Sequence, residues 1–172
     1  MKKIIPVFTL ALLGLSFQAS AVQNIDGMFG YKLGQTFDNK GREKAIQDVS
    51  LGYIYQLQLP DEKKIDYLDH YYVYTTPQTK KINGFLAIKD YKTNEQCVSA
   101  QNTFLAALKE TYGTSGSENG PTFIQDKDNS NIGIKIECVD DRLIFNNLDL
   151  ALTETAIKEN AALDNQPVKS LK

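Results

Sequence analysis

The sequence HYYVYTTPQTKKINGFLAIK, residues 70–89, carries the strongest indication of how this chain folds. Its first half, from His70 to Thr76, is aromatic or β-branched almost throughout, which favours a strand that is covered on both faces or has an apolar outer face. Residues 77–80, Pro-Gln-Thr-Lys, have the composition of a turn, and residues 82–89 form the expected partner strand. The stretch therefore predicts a β-hairpin within an antiparallel sheet.

Apolar and polar side chains alternate just upstream of this hairpin. Between Leu51 and Leu59 every second residue is Leu or Tyr, with Gln56 and Gln58 between them. This period of two predicts a strand with one face in water.

One strong helix signal follows the hairpin. Thr93 and Gln96 match a capping box, and apolar residues then recur at spacings of three and four until Gly113 supplies a stop. Cys97 lies in the first turn of this predicted helix.

Three more short strands and a second helix are predicted after a Gly- and Ser-rich loop at residues 114–120. The strands are Phe123 to Gln125, the alternating Ile132 to Cys138, and Leu143 to Phe145, with a turn at Asp140-Asp141. Asp149 can cap the second, weaker helix, and a disordered tail is expected at residues 164–172.

The resulting order, three strands and a helix followed by three strands and a helix, predicts an α+β fold. We expect an antiparallel meander sheet with one main helix packed on it, in a single domain that spans residues 22–163. A duplicated βββα unit is an alternative interpretation of the same order.

The first 21 residues have the pattern of a secretory signal peptide. Lys2 and Lys3 precede an apolar run from Ile4 to Phe17, and Ala19-Ser20-Ala21 matches a cleavage site. The pattern predicts cleavage after Ala21 and a periplasmic or secreted protein. Because thiols pair in an oxidising compartment, Cys97 and Cys138, the only two cysteines, are expected to form a structural disulfide. Closing a loop of about 40 residues stabilises a fold by roughly 4 kcal/mol.

The net charge of the chain after the predicted cleavage site bears on which class of partner it can bind. Taking Lys2 and Lys3 from the 19 basic residues leaves 17 against 21 acidic ones, a net charge of about −4. Nucleic acids and anionic membranes recruit basic patches, so neither is expected as a partner. No second apolar run is long enough for a membrane span, and no cofactor motif is found: the glycines match neither G-x-G-x-x-G nor a phosphate-binding loop.

Two groups of residues could support chemistry or metal binding. His70, the only histidine, follows Asp69 and Asp66, so an envelope hydrolase that uses His70 with a nearby Asp is an alternative hypothesis. The segment 126–131, DKDNSN, with Glu137 at the twelfth position, offers oxygen ligands at calcium-loop spacing. Its sixth position is Asn131 where glycine is expected, so a hairpin turn is favoured and no metal ligand is assigned.

Tyrosine is concentrated in the predicted strand pair, where six of the nine fall between residues 53 and 74. High β-propensity explains such a cluster without any function, whereas interfaces also favour Tyr for its large apolar area and polar tip. Residues two apart share a strand face, so Tyr72 and Tyr74 lie opposite the better core candidate, Val73. If uncovered, Tyr72 and Tyr74 would form a patch for binding a partner.

Several strings together resemble small exported proteins of Gram-negative bacteria that have no assigned activity. They are FGYKLG at residues 29–34, YYVYTTPQTKKINGFLAI at 71–88, the Cys-bearing helix that ends in KETYG at 109–113, and the later strand with Cys138. The resemblance implies a periplasmic α+β domain with one disulfide, and it assigns no catalytic residues to this chain. It implies packing or turn roles for Phe29 and Leu33. If Tyr72 and Tyr74 belong to the core, the segment around Phe29 or the loop at residues 113–120 is the next candidate binding surface.

The sequence thus predicts a non-enzymatic periplasmic or secreted binding protein, of inhibitor, immunity or envelope accessory type. Its expected partner is a protein or a cell-envelope component. The two alternatives are the hydrolase that uses His70 and a calcium-dependent binding module.

Overall fold

The computed structural model describes residues 25–40, 46–48, 51–65, 68–112, 122–126 and 129–164. The signal peptide predicted at residues 1–21, the loop at 114–120 and residues 165–172 of the predicted tail lie outside these residues. Asp164, which the sequence assigns to the tail, is the last residue of a helix.

The described residues form nine strands, two α-helices and one 3₁₀ turn at Asp61–Lys63. A small hairpin pairs β1 (Gly27–Met28) with β2 (Tyr31–Lys32). The helices are α1 (Asn94–Tyr112) and α2 (Leu150–Asp164). The remaining strands are β3 (Ile46–Asp48), β4 (Gly52–Gln56), β5 (His70–Thr75), β6 (Ile82–Asp90), β7 (Thr122–Gln125), β8 (Ile132–Val139) and β9 (Arg142–Asp149).

Seven of these strands form one antiparallel sheet in the order β3-β4-β5-β6-β9-β8-β7. The α+β fold predicted from the sequence is confirmed. Two meanders, β4-β5-β6 and β7-β8-β9, meet where β6 pairs with β9. Each meander is followed by a helix that contacts strands of the other meander: α1 packs on β7, β8 and β9, and α2 contacts β4, β6 and also β9. The strand β3 pairs with β4 and gives the first half four sheet strands against three in the second half.

The helix starts follow the local sequence. The Thr93 hydroxyl accepts a hydrogen bond from the Gln96 backbone N–H at 3.4 Å, and the Gln96 side chain accepts one from the Lys92 N–H at 3.3 Å. At α2 the Asp149 carboxylate accepts a hydrogen bond from the Leu152 N–H at 3.0 Å. These bonds satisfy N–H groups that have no partner within the helix itself.

One face of the sheet carries the main core. It contributes alternate residues such as Tyr71, Val73, Phe85 and Phe145, which pack beneath α1 and the N-terminal segment 25–37. The disulfide between Cys97 of α1 and Cys138 of β8 joins helix to sheet, with Cα atoms 6.0 Å apart. The cysteine pairing predicted from the sequence is therefore confirmed.

Helix α2 is anchored at the end of the sheet where β5 passes into β6. The Glu159 carboxylate accepts hydrogen bonds from the N–H groups of Gln78 (2.6 Å) and Thr79 (3.2 Å) and from the Thr79 hydroxyl (2.8 Å). Gly52 has a φ of +97°, and a Cβ at this position would collide with the carbonyl oxygen of Thr75. Glycine is therefore required where β4 passes close to β5 and α2.

Candidate binding surface

The second face of the sheet carries a cluster of partly exposed apolar side chains. Their strand neighbours Tyr71, Val73, Phe85 and Ala87 are buried on the core face, and side chains alternate between the two faces of a strand. In the register of the sheet Tyr72 lies opposite Leu86, and Ile88 lies opposite Ile144. We refer to the four partly exposed residues Tyr72, Leu86, Ile88 and Ile144 as the open sheet face.

Polar and charged side chains surround the open sheet face. Gln56 lies opposite Tyr72, His70 lies opposite Ile88, and both are exposed. On β8 the Lys135 ammonium lies 2.7 Å from the Glu137 carboxylate, and Glu137 lies opposite Ile144. An apolar centre with a polar rim is the usual composition of a protein–protein interface.

A second ion pair lies at one end of this face, where β6 ends and β9 begins. The Arg142 guanidinium lies 2.7 Å from the Asp90 carboxylate, and this hydrogen bond raises the pKa of Arg142. The formal charges of Arg142, Asp90, Lys135 and Glu137 sum to zero. These two ion pairs leave this part of the surface without a net charge.

The structure separates the two tyrosines that the sequence groups together. Tyr72 is partly exposed, but Tyr74 is only 4% exposed. Gly84 lies opposite Tyr74, and the Tyr74 ring and the Leu148 side chain both close over the space that a side chain at Gly84 would fill. Tyr74 is therefore a packing residue, and of the two only Tyr72 is accessible at the surface.

Phe29 belongs to the core. It lies at the β1–β2 turn with a φ of +57°, and its ring contacts those of Tyr71 and Phe85 at centroid distances of 4.9 and 5.9 Å. The side chain is 8% exposed. A bulky residue with positive φ is strained, and the burial of this ring is the interaction that offsets the strain. Packing explains Phe29, and we do not include it in the binding surface.

His70 lies at the start of β5 with an exposed side chain. The neighbouring Asp69 is also exposed and its carboxylate lies 3.5 Å from the Lys89 ammonium, while Asp66 falls outside the described residues. Among the residues that are described, no three His, Cys, Asp or Glu side chains are grouped to hold a metal ion.

The candidate calcium segment forms part of the β7–β8 connection. The Asp126 carboxylate accepts a hydrogen bond from the Asn129 N–H at 2.9 Å, as in a turn, whereas residues 127 and 128 lie outside the described residues. Glu137 lies on β8 four residues beyond Gly133, the last partner of β7, which is about 13 Å along a strand. This geometry separates Glu137 from Asp126.

Sequence reasoning missed Leu86, Ile88 and Ile144 as candidate contact residues. The available signal was that β6 carries apolar side chains at both alternating positions, with Phe85 and Ala87 on one face and Leu86 and Ile88 on the other. A strand of this kind is covered on both faces or leaves one apolar face exposed.

Neither helix of the described chain combines the length and the apolar composition needed to cross a membrane. In comparisons with known proteins, no family model, no curated protein and no solved structure matches this chain.

Proposed function

We propose that this chain is an exported, non-enzymatic binding protein that holds a protein or cell-envelope component on the open sheet face. The observation that carries the proposal is the apolar centre of Tyr72, Leu86, Ile88 and Ile144 within a rim of balanced charge. Burying such a centre against a partner removes apolar area from water, which is the main favourable term in protein association.

Two features support an exported location. The disulfide between Cys97 and Cys138 is consistent with an oxidising compartment. The N-terminal sequence has the charged start, apolar run and small-residue site of a signal peptide. We therefore propose that the protein acts in the periplasm or outside the cell, as an inhibitor, immunity factor or accessory protein.

Capture of a partner by matched variants tests the proposal. The mature chain, residues 22–172, is immobilised and exposed to periplasmic extract as wild type, Leu86→Lys or Val98→Lys. Lys at position 86 places a charge in the apolar centre, so we expect at least a tenfold loss of captured partner. Val98 is 39% exposed on α1, on the other layer of the molecule, so Val98→Lys is the control and should capture as wild type does.

Melting temperatures of all three proteins show whether the variants are folded. We expect Leu86→Lys to fold, because a Lys at a partly exposed strand position can extend its ammonium into water. Equal capture by wild type and a folded Leu86→Lys protein would remove the open sheet face from the proposal.

A further inference from the structure

We propose that a second copy of this chain docks on the open sheet face, so that two copies pack sheet to sheet about a twofold axis. This inference rests on the proposed function only in its use of the same face. It names a second copy of the chain as one molecule that binds this face. This choice follows from the positions of the charged and apolar side chains along the strands.

The register arranges this face in two neighbouring rows that cross the sheet. One row runs through Gln56, Tyr72, Leu86, Asn146 and Lys135, and the next runs through His70, Ile88, Ile144 and Glu137. The rows are two residues apart on every strand, or about 7 Å. Each row holds apolar side chains in its middle and has one charge on β8, of opposite sign in the two rows, and the first row continues to Phe123 on β7.

In the proposed dimer two copies stack with their open sheet faces together. The twofold axis lies between the two sheets, runs perpendicular to the strands and passes midway between the two rows. It therefore places the first row of one copy opposite the second row of the other copy. Lys135 of one copy then faces Glu137 of the second copy, and Leu86 faces Ile88 of the second copy. Tyr72 faces His70 of the second copy. The same axis places Asn146 over Ile144 of the second copy. A twofold contact brings each pair together twice, so the charges on β8 and the apolar side chains on β6 are complementary to those of the second copy.

The other simple axis, parallel to the strands along β6, lacks this complementarity. It would place Lys135 over Gln56 on β4, two strands from β6 on the other side, and so would set no opposite charge of the second copy against Lys135. The distribution of charge therefore selects the perpendicular axis.

The area of the open sheet face determines how strongly two copies are expected to associate. Five strands spaced about 4.8 Å apart and about six residues of strand length give roughly 500 Å² for each copy. The total of about 1,000 Å² is at the lower limit for a specific interface. We therefore expect a reversible dimer with a dissociation constant in the micromolar range or weaker.

Sedimentation velocity of the mature protein between about 1 µM and 1 mM tests the inference. We expect a concentration-dependent shift from monomer to dimer. Lys135→Glu and Glu137→Lys should each weaken the dimer at least tenfold, because each brings like charges together across the twofold axis. The double variant K135E/E137K restores opposite charges both within and between copies, so its dissociation constant should return to within about threefold of wild type.

Lys109→Glu, an exposed charge reversal on α1, is the matched control and should leave the dimer unchanged. Leu86→Lys provides a second route to the same contact if a charge variant is poorly folded, and it should abolish the dimer. A monomer at every concentration, a dimer insensitive to Leu86→Lys, or failure of a folded double variant to recover would each overturn the inference. If the protein is monomeric while Leu86→Lys still abolishes capture from extract, the proposed function stands and only the second copy is excluded.

Discussion

Tyr72 and Tyr74 are chemically identical neighbours on one face of β5, but their cross-strand partners differ. Leu86 opposite Tyr72 has a side chain of its own, whereas Gly84 opposite Tyr74 leaves a space that the Tyr74 ring and Leu148 fill. The absence of one side chain on the neighbouring strand therefore converts a surface tyrosine into a packed one.

This difference predicts unequal costs of truncation. Tyr74→Ala should lower the free energy of unfolding by about 3 to 5 kcal/mol, as expected for an aromatic side chain removed from a packed site. Tyr72→Ala should cost about 1 kcal/mol or less, because its partly exposed side chain leaves no closed cavity. Urea denaturation of the two single variants measures both values, and equal costs would contradict the burial of Tyr74 and the partial exposure of Tyr72.

The Tyr71 hydroxyl group makes hydrogen bonds with the backbone of the segment that precedes β5. The phenol oxygen accepts a hydrogen bond from the Ile65 N–H at 2.9 Å and donates to the carbonyl oxygen of Leu68 at 2.7 Å. Tyr71→Phe should lower the free energy of unfolding by about 1 to 3 kcal/mol at pH 7, because it leaves the Ile65 N–H without this acceptor. Tyr53→Phe, which keeps its ring beneath the Lys80 ammonium, is the control and should change stability less.

The same hydroxyl predicts a loss of stability in alkali. Burial raises the pKa of the Tyr71 phenol above its ordinary value of 10.0. Below pH 10 the phenol is protonated in both states, so its contribution is complete; above pH 10 the unfolded chain releases the proton more readily, and stability falls as the pH rises through the folded pKa. Urea midpoints from pH 8 to 11 should therefore fall more steeply for wild type than for Tyr71→Phe. Parallel curves would assign the alkaline loss to other groups.

Helix α1 is attached to the sheet by both apolar packing and a covalent bond. Its Cys97, Leu105 and Leu108 are buried, and the disulfide from Cys97 reaches β8 at Cys138. The bridge spans a sequence separation of 41 residues, which in the chain-entropy model stabilises the folded state by roughly 4 kcal/mol.

Cys138→Ser should accordingly lower the urea midpoint by an amount equivalent to a few kcal/mol. Reduction of wild type should reproduce the effect, and a reductant should leave the midpoint of the C97A/C138A protein unchanged. A wild-type midpoint that does not respond to reduction would show that the bridge contributes no stability.

For the molecule as a whole, the pairing of β6 with β9 makes one continuous sheet of two meanders. Each helix contacts strands of the other meander, so neither half buries its apolar surface alone. We predict a single cooperative unfolding transition. Val73→Ala on β5 and Phe145→Ala on β9 should both shift that one transition, by fluorescence and circular dichroism alike. Two transitions, each shifted by only one of the variants, would divide the chain into two domains.

Much of this fold follows from local patterns. The hairpin around residues 77–80, the capping of α1 by Thr93 and of α2 by Asp149, and the turn at Asp140-Asp141 were all predictable, because each depends on residues close in sequence. The pairing of Cys97 with Cys138 followed from their number. Strand ends were less accurate: the segment predicted at residues 143–145 is part of β9, which extends from Arg142 to Asp149.

The sequence by itself determined both helices and the six longer strands, because the period of apolar residues and the capping side chains act over a few positions. The strands β1, β2 and β3 were not predicted, because two or three residues are too few to show a period. Only the tertiary structure decided which apolar side chains stay at the surface. The burial of Phe29 and Tyr74 and the exposure of Leu86, Ile88 and Ile144 depend on which strands and helices lie against them. Those contacts join residues far apart in the chain, so alternation along one strand defines two faces but does not say which of them is covered.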